Sequence, residues 1–339
     1  MGNASKNGRY LGHLQREDPL YEYLQSQIAP QLGLHIPDAC YRVFRFTDSQ
    51  NVYLYEEKGG TVRWVAKFFK SWDPQHACRK GETEFNNLTF LRRLGFCNRP
   101  HYVVRPFGFN PSIDNVLVVE YLEGDSVSAV IDDAIHCGMV DRLFRKLKAL
   151  ACFLAVFHCR TAGEWSVDFR ESLYYTARVL RSLEERWGLD RQCSDRLWSL
   201  GERWLQRSFM WEEPSVLVHG DATPSNFLFG KGMDVMAIDL ERMQWADPVF
   251  DVGRLCGELK HVFLRCTGNP SAAEPYIGHF LREYCGHLED REQAFSRITR
   301  RLPFYMGITL LRIARNSWIT PDYRRSLVEE AINTLEARV

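Results

Sequence analysis

The sequence predicts an α+β chain in two lobes, a small antiparallel sheet followed by a larger, mainly helical part. Three observations carry that prediction. Between positions 41 and 69, three strand-like runs at 41–46, 52–56 and 62–69 are separated by short turns, the second of them Lys58-Gly59-Gly60, so they read as an antiparallel meander. From Asp141 onward, apolar residues recur at helical spacing through most of the chain. A length of 339 residues exceeds the usual size of one domain, so two lobes around a cleft are the default expectation.

Composition excludes several classes of function. With 45% hydrophobic and 25% charged residues the chain is an ordinary globular one. Its 43 basic residues balance 43 acidic ones, so overall charge recommends neither nucleic acid nor an anionic membrane as partner. Ten cysteines are scattered without any C-x-x-C pair, which argues against a zinc site or a disulfide framework, and they read as buried reduced thiols. The N-terminus lacks the apolar core of a signal peptide, and no apolar run is long enough to span a bilayer; the expected location is cytoplasmic. MGNASK begins like a myristoylation signal but has Lys6 where Ser or Thr is required, and is read as coincidence.

Taken in order, positions 21–28 form a mildly amphipathic piece that Pro37 ends before the first strand of the meander. The third strand carries WVAKFF, in which Lys67 is the only charge; an ammonium among such neighbours is costly unless an anion or carboxylate meets it. The following helical segment, 76–94, places Glu84, Leu88 and Leu91 at one spacing, which makes Glu84 the candidate partner, with Glu82 open as the alternative. NVLVVEYL at 115–122 reads as a buried strand. Helices are expected at 141–159, 171–187, 191–207, 252–264, 274–285, 290–300, 303–318 and 321–338. His158, at the end of the first of these, reads as a structural helix-end residue. Arg297, Arg300, Arg301, Arg312, Arg315, Arg324 and Arg325 read as a solvated helical face, since Glu329, Glu330 and Glu336 stand nearby.

The chemistry concentrates in VLVHGDATPSNFLFGKGMDVMAIDLE, residues 216–241. Short apolar runs between turn residues read as strands, so Asp221 and Asn226 flank one loop and Asp239 ends the next strand. Two carboxylates and an amide oxygen are hard donors of the kind that suits Mg²⁺. The plain alternative is a hairpin whose Asp and Asn cap turns.

The pattern His-Gly-Asp-x-x-x-x-Asn followed by Ile-Asp-x-Glu resembles the catalytic core of the aminoglycoside phosphotransferase and choline kinase superfamily, small-molecule relatives of the protein kinases. The resemblance implies a protein-kinase-like two-lobed fold with ATP bound between the lobes. It makes residues 1–40 an N-terminal extension, 41–122 a nucleotide-binding lobe ending in a hinge strand, and 123–339 a catalytic and acceptor-binding lobe. Asp221 becomes the catalytic base, and Asn226 and Asp239 the Mg²⁺ ligands, with Glu241 either supporting those ligands or acting as an additional metal residue. Val65-Ala66-Lys67-Phe68 is similar to the V-A-I-K strand whose lysine contacts the ATP phosphates, paired with Glu84.

In the loop between the first two strands, Ser49 and Asn51 are implied phosphate contacts, or else Asp48 and Asn51 simply build a hairpin turn. Backbone groups at Glu120, Tyr121 and Leu122 are the implied adenine contacts. ADPVFDVG resembles the family's D-P-x-x-D segment, in which Asp251 fixes the catalytic loop by hydrogen bonds, a role close to that of a helix N-cap. The implied partner is a small-molecule hydroxyl acceptor, an antibiotic, amino alcohol or sugar, which no local feature singles out. A protein-serine kinase would share the constellation, but no A-P-E segment follows Asp239. A nucleotide-binding pseudokinase or binding module is the non-enzymatic alternative, against which stand Lys67, Asp221, Asn226 and Asp239.

Overall fold

The computed structural model describes residues 8–46, 51–60 and 62–337. They fall into two units, the chain up to Gly124 together with Met236–Glu241, and Asp125–Val235 together with the chain from Arg242 onward.

The first unit is an antiparallel sheet in the order Gly8–His13, Tyr41–Phe46, Val52–Glu57, Arg63–Phe68, Val116–Glu120, Pro106–Asn110. The two-residue period of the fourth strand sends Trp64 and Ala66 into a core with Tyr41, Tyr55, Val116 and Val118, and leaves Lys67 on the opposite face. That face takes the helix Pro74–Arg93. Asp73 caps the helix by accepting from the Gln75 N–H at 3.0 Å, Pro74 opens it, and Arg92 and Arg93 lie in its last turn. Its buried stripe is Ala77, Gly81, Glu84, Leu88 and Leu91, so Glu84 is the one charge on an otherwise apolar face.

The expected three-strand meander is thus the centre of a larger sheet. Its outer strands were not legible because Gly8–His13 lacks a clear alternation and Pro106–Asn110 contains Pro106 and Gly108. Residues 1–40, set apart as an extension, contribute Leu20, Tyr23, Leu24 and Ile28 to the same core as the sheet. The expected helix at 21–28 is Pro19–Tyr23, which widens into a π-helical Leu24–Ile28 and ends in a 3₁₀ turn at Ala29–Leu32.

In the second unit, Ala162–Ser166, Pro214–Val218 and Gln244–Ala246 form an antiparallel sheet, and Asp125–Ser126 pairs with Phe227–Phe229. Eight α-helices are present among its described residues. Val249–Thr267 and Arg291–Ala314 approach closely through Gly253 and Gly257: a Cβ at Gly257 would lie 2.7 Å from that of Thr309.

Three expectations are corrected, and one further helix is found. The two helices expected at 290–300 and 303–318 are one, Arg291–Ala314, with Pro303 inside it. A mid-helix proline costs about 3 kcal/mol, but Leu302, Phe304, Tyr305, Met306, Ile308, Leu310 and Leu311 are all buried, and that packing carries the helix through. Val127–His136 is a helix that was not anticipated, capped by Ser126 accepting from the Ala129 N–H at 3.1 Å. The cysteines are all free thiols as expected, but only Cys256 and Cys285 are buried, while Cys137 and Cys159 are exposed.

The arginines assigned to a solvated face divide: Arg301 and Arg324 are buried, Arg297, Arg300, Arg312 and Arg315 are half-buried, and Arg325 is exposed. Arg301 is 1% exposed and lies 2.6 Å from Glu213, Arg324 donates to the Ala314 and Ile319 carbonyls, and Arg312 meets two carboxylates. Composition counts charges but does not say which helix face the partners lie on. No helix among the described residues is long and apolar enough to cross a membrane.

Candidate active site

In the first unit, Lys67 sits among three carboxylates. Its Nζ lies 2.7 Å from Glu84 Oε2 and 3.0 Å from Glu241 Oε2, and it also pairs with Asp239 Oδ1. Lys80 reaches Glu241 at 2.8 Å. The strand pairing of Lys67 with Leu117 and Val52 fixes its backbone. Asn87, one turn after Glu84, donates to the Leu240 carbonyl at 2.8 Å and ties the Asp239–Glu241 segment to the helix.

Burial alone would lower the Lys67 ammonium, but Glu84, Asp239 and Glu241 outweigh it and hold it above its usual range. Burial pushes the Glu84 carboxyl up, to about 7, against the pull of Lys67, because three carboxylates share that ammonium. Asp239 adopts a left-handed backbone at φ +64°, uncommon for a residue other than glycine. One oxygen from each of Glu84, Asp239 and Glu241 lies within 4.8 Å of the others, a hard-oxygen donor set that fits a divalent cation such as Mg²⁺.

In the second unit, the strand Pro214–Val218 delivers His219-Gly220-Asp221. Asp251, in the first turn of Val249–Thr267 and wholly buried, accepts from the His219 N–H at 2.6 Å and the Gly220 N–H at 3.0 Å. It does not occupy the N-cap, which is Pro248; Asp247, one position earlier, accepts from the Val249 N–H at 2.8 Å. His158 Nε2 is hydrogen-bonded to Asp251 Oδ2 at 3.2 Å, and its Nδ1 to the Tyr284 hydroxyl at 2.7 Å. Burial would raise the Asp251 carboxyl, but the hydrogen bond and charge of His158, with the His219 donation, hold it below the usual range. Gly220 has φ +77°, and a Cβ there would collide with the Arg242 carbonyl.

Asn226 donates through Nδ2 to the Asp221 carbonyl at 2.9 Å, which closes the loop and leaves Oδ1 as its acceptor atom. The Asp221 carboxylate is held by arginines. Arg312 Nη2 lies 2.8 Å and Arg254 Nη1 3.4 Å from Oδ1, and Arg242 Nε lies 4.0 Å from Oδ2.

The remaining sequence candidates are placed as follows. Glu84, not Glu82, meets Lys67. Ser49 lies outside the described residues. The Asn51 carbonyl accepts from the Phe68 N–H at 2.9 Å, extending the strand ladder. Glu120 is anchored: its N–H donates to the Arg105 carbonyl, and its carboxylate accepts from the Tyr102 hydroxyl at 2.7 Å and the Arg105 N–H. Tyr121 and Leu122 follow the end of that strand, with Arg63 stacked 4.3 Å over the Tyr121 ring. The arginines around Asp221 were missed. The available signal was the spacing of Arg312 and Arg315, one helical turn apart on one face.

A profile of the phosphotransferase enzyme family (APH) matches residues 45–294. No curated protein sequence matches the chain. Among solved structures, Plasmodium vivax ethanolamine kinase aligns over 94% of this chain and 88% of its own, with a TM-score of 0.62 and 13% identity. A glucosamine kinase aligns over 90% and 92%, with a TM-score of 0.55 and 16% identity. The streptomycin-ATP-APH(2")-IIa ternary complex aligns over 94% and 97%, with a TM-score of 0.55 and 14% identity. At such identities the likeness is one of fold, the protein-kinase-like α+β fold of small-molecule kinases. Since the family profile spans well over half of the sequence, the chain belongs to the phosphotransferase enzyme family.

Proposed function

We propose that the chain is an ATP- and Mg²⁺-dependent kinase that transfers the γ-phosphoryl group to a hydroxyl of a small molecule. The observation that carries this reading is the simultaneous presence of the Lys67–Glu84 ion pair and of an Asp221 loop whose backbone is fixed by the buried Asp251. Phosphoryl transfer requires little covalent chemistry from a protein; it requires positioning and neutralised charge.

In this reading Lys67 contacts the nucleotide phosphates and Glu84 holds its ammonium in place. The Asp239 and Glu241 carboxylates are hard donors that suit Mg²⁺, and the Asn226 amide oxygen is a donor of the same kind; the ion would supply charge neutralisation on the phosphates. Asp221 receives the proton of the acceptor hydroxyl as its oxygen bonds to the γ-phosphorus and the bond to the ADP oxygen breaks. Main-chain groups of Tyr121 and Leu122 contact the purine, whereas the Glu120 N–H is already bonded.

The binding-module alternative has one observation in its favour, the occupation of Asp221 by Arg312 and Arg254. The two readings separate by incubating the protein with ATP, Mg²⁺ and a panel of hydroxylated small molecules while ADP is followed. Acceptor-dependent ADP release that Asp221→Asn abolishes supports the kinase. Stabilisation by Mg·ATP with no turnover on any acceptor, and none of ATP alone, would leave a binding module.

A further inference from the structure

Resting on the kinase reading above, we propose that the acceptor is an anionic alcohol, a small molecule bearing a phosphate or carboxylate beside the hydroxyl that receives the phosphoryl group, and that Arg242, Arg254, Arg312 and Arg315 hold its anion next to Asp221. Three of these guanidiniums lie within 4.0 Å of the Asp221 carboxylate. Among the described residues Glu258 adds a second negative charge beside Arg312, which holds it at 3.1 Å. Arg254 and Arg312 thus share these two carboxylates, and Arg315 beside them has neither, an excess of positive charge that a purely structural network would not leave.

Burial sharpens the imbalance. The Arg254 side chain is 3% exposed, lodged by the Phe250 ring, with Nη2 3.4 Å from the Tyr175 hydroxyl. Arg315 is half-buried and has no carboxylate at ion-pairing distance among the described residues. Burial, and the charges of Arg312, Arg242 and Arg254 set against Tyr175, hold its guanidinium below the usual range. Burial would raise the Tyr175 phenol, but Arg254, Arg312 and Arg315 bring it below its ordinary value. Guanidinium forks match phosphate and carboxylate oxygens in pairs, whereas a polycationic acceptor would meet repulsion here. An arriving anion also competes for Arg312 and Arg254 and frees Asp221 Oδ1 to take the hydroxyl proton.

The test uses the full chain without nucleotide, followed by thermal shift and titration calorimetry. Glycerol 3-phosphate and inorganic phosphate are expected to raise the melting temperature, and glycerol and choline to leave it unchanged. Arg312→Gln and Arg315→Gln are each expected to weaken glycerol 3-phosphate binding at least tenfold, with Arg315→Lys retaining part of it. Arg315→Gln should keep or raise the ligand-free melting temperature, since it removes an unpaired cation, so a folding defect is not mistaken for lost binding. Equal stabilisation of wild type and Arg315→Gln, no stabilisation by either anion, or a preference for choline would overturn the proposal. Mg·ATP stabilisation and its loss in Lys67→Met report on the kinase reading separately. Anion binding without any Mg·ATP response would overturn that reading and leave the anion site, and the converse result would remove the anion site alone.

Discussion

The Arg312 guanidinium donates to Asp221 Oδ1 at 2.8 Å, so the carboxylate assigned as catalytic base rests in an ion pair. Asp221→Asn keeps an oxygen for Arg312 and removes the capacity to take a proton. Turnover with the best acceptor is expected to fall roughly 10²- to 10⁴-fold, with Mg·ATP stabilisation unchanged. Near-native turnover measured by ADP release would remove Asp221 from the mechanism.

Lys67 neutralises Glu84, Asp239 and Glu241 together. Lys67→Met leaves those carboxylates facing one another, with Lys80 still at Glu241, so the variant should lose about 2–3 kcal/mol of stability as well as ATP use. Glu84→Gln added to Lys67→Met should recover part of the stability and none of the activity. Denaturant titration of the single and double variants checks this; strict additivity would mean that the pair is not coupled.

Asp251 satisfies two buried N–H groups and His158 at once. Asp251→Ala leaves these donors unpaired, at a cost of about 2–4 kcal/mol. The catalytic constant should fall further than nucleotide affinity, since the disturbed backbone is that of His219 and Gly220. A variant that melts like wild type would show that the loop holds its shape without this carboxylate.

A fourth expectation concerns acid. Burial first, and then the charge of Arg265, lower the His261 imidazole to about 4. The folded protein therefore keeps it neutral while the unfolded chain, near 6.5, already binds the proton. The contribution is fully present above pH 6.5 and is lost as pH falls to about 4, at most of order 3 kcal/mol. His261→Gln should flatten the fall of the denaturant midpoint across that window; an unchanged slope would assign the acid sensitivity elsewhere.

What was legible in the sequence follows from range. The Lys67 strand, the Glu84 helix and the His219–Asp221 turn are local patterns of period two, period 3.6 and turn chemistry, and each could be read within some twenty residues. Glu84 could be preferred over Glu82 because it shares its spacing with Leu88 and Leu91. The spacing of Arg312 and Arg315 shows a shared face, but that this face meets Asp221 was not legible, for the opposite reason. Arg312 lies 91 positions away along the chain and Arg254 lies 33, and only the packing of Val249–Thr267 against Arg291–Ala314 decides which residues they meet. Pro303 misled by the same route, since a local breaker was overridden by burial on both sides of it.

The collision that a Cβ at Gly220 would make with the Arg242 carbonyl bears on how a deep mutational scan of this protein is to be read. Position 220 and position 221 would both score as intolerant if growth or turnover were the only readout. Scored for the amount of folded protein in cells, they part: side chains at 220 force the backbone away from φ +77° and deplete the protein, while Asp221→Asn accumulates normally and is merely inert. Intolerance alone would therefore double the apparent size of the catalytic apparatus at this turn, and an abundance map laid over the activity map restores it to one side chain.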